Sequence, residues 1–272
     1  MPLPASPLVF VFVALFTLIC AVALALGLRE LRLAWRVLGN EPDSVLDAPD
    51  GGWVELVGTA QSDGGTIRSP FTDSECLVHE YEVEERRHDQ HGPSWTTIAT
   101  GRQSVPFRIE DDTGSARVEP PGADLRLSRE RRITVDGGDR PPDPIARFIE
   151  ADDRVDDQER SIDLRVIELE TGKDRRFTER RLDVGEEVHV LGTARFDTTA
   201  GRRSGEVNAV VGLDEAALSG GRLRWYRHRL FGAPFLISDT GQRGTARRVA
   251  LVGAAATLGG GLGLALLGLL AL

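Results

Sequence analysis

The sequence predicts a mainly-β soluble domain with one short helix, held between two transmembrane α-helices. Three observations predict it: an uncharged apolar stretch at each end, a charge-rich middle, and a hydrophobic period that changes from helical to alternating near residue 53. Leu8 to Leu28 is twenty-one residues without a charge, and Val249 to Leu272 is twenty-four more. About 20 apolar residues cross a hydrocarbon core roughly 30 Å thick. A soluble protein can bury one such helix in its core. Two of them, one at each extreme, favour membrane spans.

The first span continues as a short polar helix, Arg29 to Leu38, with Leu31, Trp35 and Leu38 on one face. Asn40 to Gly52, rich in Asp, Pro and Gly, reads as a linker that completes a juxtamembrane segment over 29–52. From Trp53 the period is two. Val54 to Ala60 is a strand, and Ser62-Asp63-Gly64-Gly65 is a turn. Cys76 to Arg86 is a second strand, with Leu77, Tyr81 and Val83 on one face; Arg87 to Ser94 is a polar loop, and Trp95 to Thr100 begins the return strand. Pro106 to Glu110 and Ser115 to Glu119 flank Asp111-Asp112-Thr113-Gly114, whose residues supply turn chemistry, so the pair reads as a hairpin. Pro144 to Ala151 is a short helix within an acidic insertion. Ile162 to Leu169 and Glu187 to Phe196 are further strands, the second entered through the turn at Asp183-Val184-Gly185. Val54 to Ala60 also echoes Val188 to Ala194, which marks either two equivalent strands of one barrel or coincidence.

The net charge is −9, and Lys173 is the only lysine. Runs such as Glu110-Asp111-Asp112 fit either the solvated surface of a protein from a GC-rich genome or a salt-in halophile, where carboxylates maintain solubility. The acidic balance argues against nucleic acid as a partner, because phosphate neutralisation needs a basic surplus.

Arg29, Arg32 and Arg36 follow the first span, and Arg243, Arg247 and Arg248 precede the second. Basic residues stay on the cytoplasmic side. Both spans therefore predict a two-span cell-membrane protein with residues 1–7 outside and the middle domain in the cytoplasm. A cleaved signal peptide is the competing reading, with small-residue sites at Ala21-Val22-Ala23 and Ala23-Leu24-Ala25. It wants positive charge before the apolar stretch, and here the charge follows.

No catalytic constellation emerges from the residues, so no catalytic, cofactor or metal site is predicted. His88 and His91, with Asp89, stand at a spacing that could hold a metal, but no third ligand is evident. His189 alternates with Val188 and Val190, which predicts an exposed structural histidine; His79 and His228 have no partner the sequence can identify. Cys76 reads as a packed cysteine rather than a nucleophile, because His79 would point to the opposite strand face. Two cysteines, one of them in a span, leave no intradomain disulfide. Gly259-Gly260-Gly261 lies in the second span, where small residues let helices approach.

Several strings in order resemble the GIDE (or BAM) domain. They are Gly58-Thr59-Ala60, Ser69-Pro70-Phe71, Cys76-Leu77-Val78, Val83 to Arg86, Val105 to Gly114, Leu182 to Gly192 and Pro234 to Ser238, spread over residues 53–239. That domain is known from mitochondrial outer-membrane E3 ubiquitin/SUMO ligases, where it lies between two membrane spans and a RING finger follows. The resemblance implies the same two-anchor plan, with a basic juxtamembrane segment over 240–248 and the second span over 249–272. It does not carry the ligase chemistry over, because a RING needs more thiolates than two cysteines supply. The Asp112-Thr113-Gly114 hairpin also resembles those of OB-fold barrels, which makes an OB-like barrel the candidate architecture.

The function expected is a membrane-anchored protein-interaction or membrane-organising module without its own catalytic site. The alternative is an E3 ubiquitin-transferase-like component that takes its zinc module from a partner. The expected partners are the lipid bilayer and an unidentified protein. The candidate interface is Arg222, Arg224, Trp225, Tyr226, Arg227 and Arg229, where aromatic rings suit a lipid interface and arginines suit anionic headgroups.

Overall fold

The computed structural model describes residues 7–39, 41–89, 92–152, 173–213, 234–240 and 242–271. The chain divides into two compact units, one holding the terminal helices and one holding the strands and short helices between them.

In the first unit, α1 (Pro7–Gly39) runs unbroken from the apolar stretch into the polar one, and α3 (Gln242–Ala271) packs on it. Their segments Val11–Arg32 and Ala250–Leu267 are long and apolar enough to cross a membrane. Glycines set how closely the pair packs. A Cβ on Gly260 would stand 2.6 Å from the Leu24 backbone nitrogen, and one on Gly253 2.9 Å from that of Leu31. On the other helix, a Cβ on Gly27 would meet the Thr257 side chain at 2.4 Å. Of the Gly259-Gly260-Gly261 run, the middle residue makes the contact; its neighbours face open space. In lipid, where association relies on packing, small residues at the seam permit that approach. Gly260→Leu is expected to separate the helices and lower the chain's thermal stability in detergent, whereas Gly261→Leu leaves it near wild type. Paired melting curves check this.

The second unit is built on a barrel. β1 (Gly52–Ser62) pairs with β6 (Phe107–Glu110), β6 with β7 (Ser115–Val118), β7 in parallel with β12 (Glu206–Gly212), and β12 with β11 (Glu187–Phe196). β11 then pairs with β1 along eight residues and closes the ring. Five strands with one parallel contact form the small closed barrel that OB folds use, and no open edge remains in the ring. β13 (Leu236–Ser238) adds to β11, and β8 (Asp124–Arg126) pairs with β13 in parallel. Alternation explains the core: Phe107, Ile109, Ala116, Val118, Val188 and Val190 all point inward.

The hairpin at Asp111–Gly114 forms as predicted, and its turn also holds the entering chain. Asp111 accepts the backbone N–H groups of Thr113, Gly114 and Val45. The stretch read as a linker therefore has a fixed place: Val45–Asp50 is a 3-10 helix whose Val45 and Ala48 are buried in the barrel core.

The echo between Val54–Ala60 and Val188–Ala194 is structural. The two strings lie side by side in β1 and β11, with Leu56 opposite Val190, Val54 opposite Gly192 and Gly58 opposite Val188. Each residue of one string thus pairs as its counterpart does in the other, as a local two-fold requires. The symmetry continues outward, because Thr59 pairs with Glu110 as Thr193 pairs with Gly212.

Two long excursions from the barrel build a second sheet from β4 (Val78–Asp89), β5 (Gly92–Ser104), β9 (Glu130–Val135) and β10 (Arg175–Leu182). Its strand order is β5-β4-β10-β9. A two-stranded ribbon, β2 (Ile67–Arg68) with β3 (Glu75–Cys76), frames residues 69–74. The segment expected to be a polar loop, Arg87 to Ser94, is instead mostly strand: β4 reaches Asp89 and β5 starts at Gly92. Past a bulge at Val83/Glu84, cross-strand pairing runs on from Glu84 to Asp89 and outweighs the polarity of the side chains. The short helix α2 (Asp143–Asp152) packs Ile145, Phe148 and Ile149 on a core of Phe71, Tyr81, Val83 and Phe177. The strand expected at Ile162 to Leu169 lies outside the described residues.

Candidate functional site

Alternation along β4 sets the site. Its odd-numbered residues His79, Tyr81 and Val83 share one face, and Tyr81 and Val83 enter the aromatic core under α2. Phe71 meets Tyr81, Phe148 and Phe177 edge-to-face, with centroids 5.2 to 5.7 Å apart. On β5, Gly101 lies directly opposite Tyr81, and a Cβ there would stand 2.5 Å from the phenolic oxygen. Glycine at this position lets the tyrosine ring lie flat across the neighbouring strand.

Residues 69–73 are held from below by one buried carboxylate. Glu179 of β10, 1% exposed, accepts the backbone N–H groups of Phe71 at 2.9 Å and Thr72 at 3.3 Å. It also accepts the hydroxyl of Ser69 at 3.2 Å, a short hydrogen bond from the Thr72 hydroxyl, and the Arg181 guanidinium at 3.0 Å. This network lets the chain turn through Asp73, which has a φ of 54°.

Between this loop, the β4–β5 hairpin and α2 lies a half-open cavity of about 280 Å³. Its rim carries Arg68, Arg102 and Arg147, against one lining carboxylate, Asp73. Arg147 donates to Asp73 at 3.0 Å, and Arg68 pairs with Asp73 at 3.4 Å and Glu75 at 3.5 Å. Hydrogen bonding to Arg147 is the chief reason the Asp73 carboxyl lies below the usual carboxylate range. Arg102 donates to the Ala123 carbonyl at 3.1 Å. Tyr81, Phe148, Pro70 and Pro144 supply apolar wall.

His79 lines the same cavity, is 4% exposed, and has at most one ring nitrogen engaged, by the Gln103 side chain. Burial pushes its pKa below the ordinary imidazole value, against the opposing pull of Glu179 and of Gln103, its cross-strand neighbour. The unfolded chain therefore binds a proton that the folded chain resists. Stability is expected to fall as pH drops through the ordinary value of 6.5, and His79→Gln should flatten that slope in denaturation curves taken over about pH 5 to 7.

Other residues singled out from sequence fall elsewhere. Cys76 is fully buried, and burial, followed by the nearby Asp183, pushes its thiol up to about 12. It is a packed cysteine, as expected. N-ethylmaleimide at neutral pH is expected to leave it unlabelled in the native state and to label it once urea unfolds the domain. His189 corrects the expectation of an exposed histidine. It is 0% exposed and bonds Glu55 of the neighbouring strand β1 at 3.0 Å. The outer face of β11 is covered as well as the inner one, since Leu191 beside it is also buried. Among the described residues no group of three or more His, Cys, Asp or Glu could hold a metal; His91 lies outside them. On α1, Arg29 is half-buried and Arg32 exposed, while Arg36 belongs to the same helix. Arg243, Arg247 and Arg248 lie on α3. The proposed interface from Arg222 to Arg229 lies outside the described residues.

The cavity was not readable from sequence. His79 is remote in sequence from Arg102 and Arg147, and only the alternation that puts it on the face of Tyr81 hinted that it turns inward.

Residues 78–202 match the GIDE family model, described as E3 ubiquitin ligase. The match runs from the first residue of β4 to just beyond β11, and takes in α2 and the walls contributed by Arg102 and Arg147. It includes the strings at Val83 to Arg86, Val105 to Gly114 and Leu182 to Gly192. Those at Gly58 to Ala60, Ser69 to Phe71 and Pro234 to Ser238 lie outside it. No curated protein and no solved structure matches the chain.

Proposed function

We propose that this chain, a GIDE-domain protein by the match over residues 78–202, is a membrane-tethered module whose β unit engages a protein partner. The observation that carries the reading is the coupling, in one chain, of that domain with two helices of membrane-spanning length and composition. The GIDE-like region is proposed to span 53–239, wider than the match, because the barrel that completes it needs β1 and β12, and β13 extends the sheet from β11. The arginines on α1 and α3 support a cytoplasmic placement of the β unit in the cell membrane. Arg222 to Arg229, with Trp225 and Tyr226, remains the proposed lipid-facing contact. The acid-rich composition supports a high-salt setting and disfavours nucleic acid.

The family's description as E3 ubiquitin ligase favours one second reading, a ligase-related component. Two buried, free cysteines in these 272 residues supply too few thiolates for a RING, so that reading takes the zinc module from a partner. Crosslinking in intact membranes, followed by mass spectrometry, tests both. The interaction reading expects reproducible crosslinks from the β unit to a distinct protein, and the ligase reading expects that protein to be zinc-bearing or ubiquitin-like. Crosslinks no richer than those of an unrelated two-span protein would remove the first reading. Protease added to right-side-out vesicles is expected to spare the β unit, and cleavage there would reverse the orientation.

A further inference from the structure

We propose that the cavity between residues 68–73, the β4–β5 hairpin and α2 binds a small organic anion, a carboxylate or phosphate group carried on an apolar body. This goes beyond the partner reading and stands or falls separately from it.

Charge is the first argument. The chain as a whole is strongly acidic, yet this cavity is lined by three guanidiniums and one carboxylate. Arg68 and Arg147 are 61% and 64% exposed, so their remaining N–H groups face solvent and can turn to an incoming anion. Guanidiniums suit planar carboxylate and phosphate oxygens because they present several N–H donors in a fixed fork. Nearby carboxylates offset this charge only in part: Glu75 pairs with Arg68, and Glu179 is already engaged by Arg181 and the loop N–H groups.

The second argument is His79. A buried polar atom without a hydrogen bond is uncommon, and each case calls for an explanation. His79 is 4% exposed and lines the cavity, and Gln103 can serve at most one of its ring nitrogens, which leaves the other without a protein partner. A ligand oxygen seated there would accept a hydrogen bond from the imidazole and satisfy it. The third argument is shape. The volume of about 280 Å³ lies near the lower end of small-molecule sites. Its Tyr81 and Phe148 rings fit one apolar group of roughly aromatic-ring size, with the acid group toward the arginines.

Isothermal titration of the full chain in a non-ionic detergent, using phenyl phosphate and benzoate as probes, tests the site. At least one probe is expected to bind saturably with a Kd of about 1 mM or tighter. Arg147→Gln is expected to weaken binding by about tenfold, the effect of losing one charge-assisted hydrogen bond. Arg68→Gln should act in the same direction. Arg140→Gln, which changes an exposed arginine paired with Asp143 outside the cavity, should leave binding unchanged. Benzyl alcohol, which lacks the anion, should not bind, and inorganic phosphate, which lacks the apolar body, should bind at least tenfold more weakly than phenyl phosphate. The proposal is overturned if neither anion binds saturably, if a folded Arg147→Gln chain binds as the wild type does, or if benzyl alcohol or inorganic phosphate binds equally well.

Discussion

Gly58→Ala is expected to destabilise the barrel by about 3 kcal/mol, toward the upper end of the range for overpacking a close-packed interior. A Cβ at Gly58 would stand 2.3 Å from the carbonyl oxygen of Glu110 and 2.9 Å from its carbonyl carbon. The obstacle is backbone that is itself hydrogen-bonded in the β1–β6 ladder, so no rotamer change relieves it. Gly192 occupies the counterpart position on β11 and makes an instructive control. A Cβ there would meet the side chains of Val211 at 2.9 Å and Phe235 at 3.0 Å, with the nearest backbone atom at 3.3 Å. Side chains can shift where backbone cannot, so Gly192→Ala should cost clearly less. Urea denaturation of both variants gives the comparison. Equal losses would show that the two-fold likeness of the strands extends to their energetics, and would contradict the backbone argument.

Glu179→Leu is expected to cost about 3 to 5 kcal/mol, as removal of one partner from a buried ion pair does. The substitution removes the acceptor of two backbone N–H groups and two hydroxyls, and leaves Arg181 with Asp183 as its remaining carboxylate partner. Glu179→Gln keeps the shape and one acceptor oxygen, so a smaller loss is expected. The same variants reach the cavity, because Ser69, Pro70 and Asp73 are positioned by the loop that Glu179 holds. In a folded Glu179→Gln chain, anion binding should weaken together with stability. Arg147→Gln should separate the two, lowering binding while leaving the denaturation midpoint nearly unchanged.

These two positions also show how unevenly the fold can be read from the chain. Gly58 is visible as the glycine of a repeated string, and its strand, partner hairpin and short helix all follow from alternation and turn chemistry. The strand ends were harder to read. Polarity suggested that β4 stops before Arg87, whereas pairing with β5 carries it to Asp89. His189 was misread for a related reason. Alternation tells which residues share a face, but not whether the second face of a strand is also covered. The 45–50 segment has linker composition and becomes core because Asp111, distant in sequence, caps it.

Glu179 lies at the other extreme. Nothing in a chain full of carboxylates marks this one, and its role depends on contacts to residues more than a hundred positions earlier. The same holds for the cavity, where Arg68, His79, Arg102 and Arg147 come from four separate segments.

By itself, the sequence determined what depends on local pattern. Two uncharged stretches set the apolar helices, period-two alternation set the strands, and the ordered strings set the GIDE likeness. Each follows from residues close enough in the chain for hydropathy and backbone preference to act on them directly. Only the tertiary structure decided that the echoing strands pair with each other, that His79 is buried, and that three arginines of an acidic chain line the same cavity. Those outcomes depend on which strands close the barrel and where its excursions pack, and long-range pairing of that kind leaves no periodic trace in the sequence.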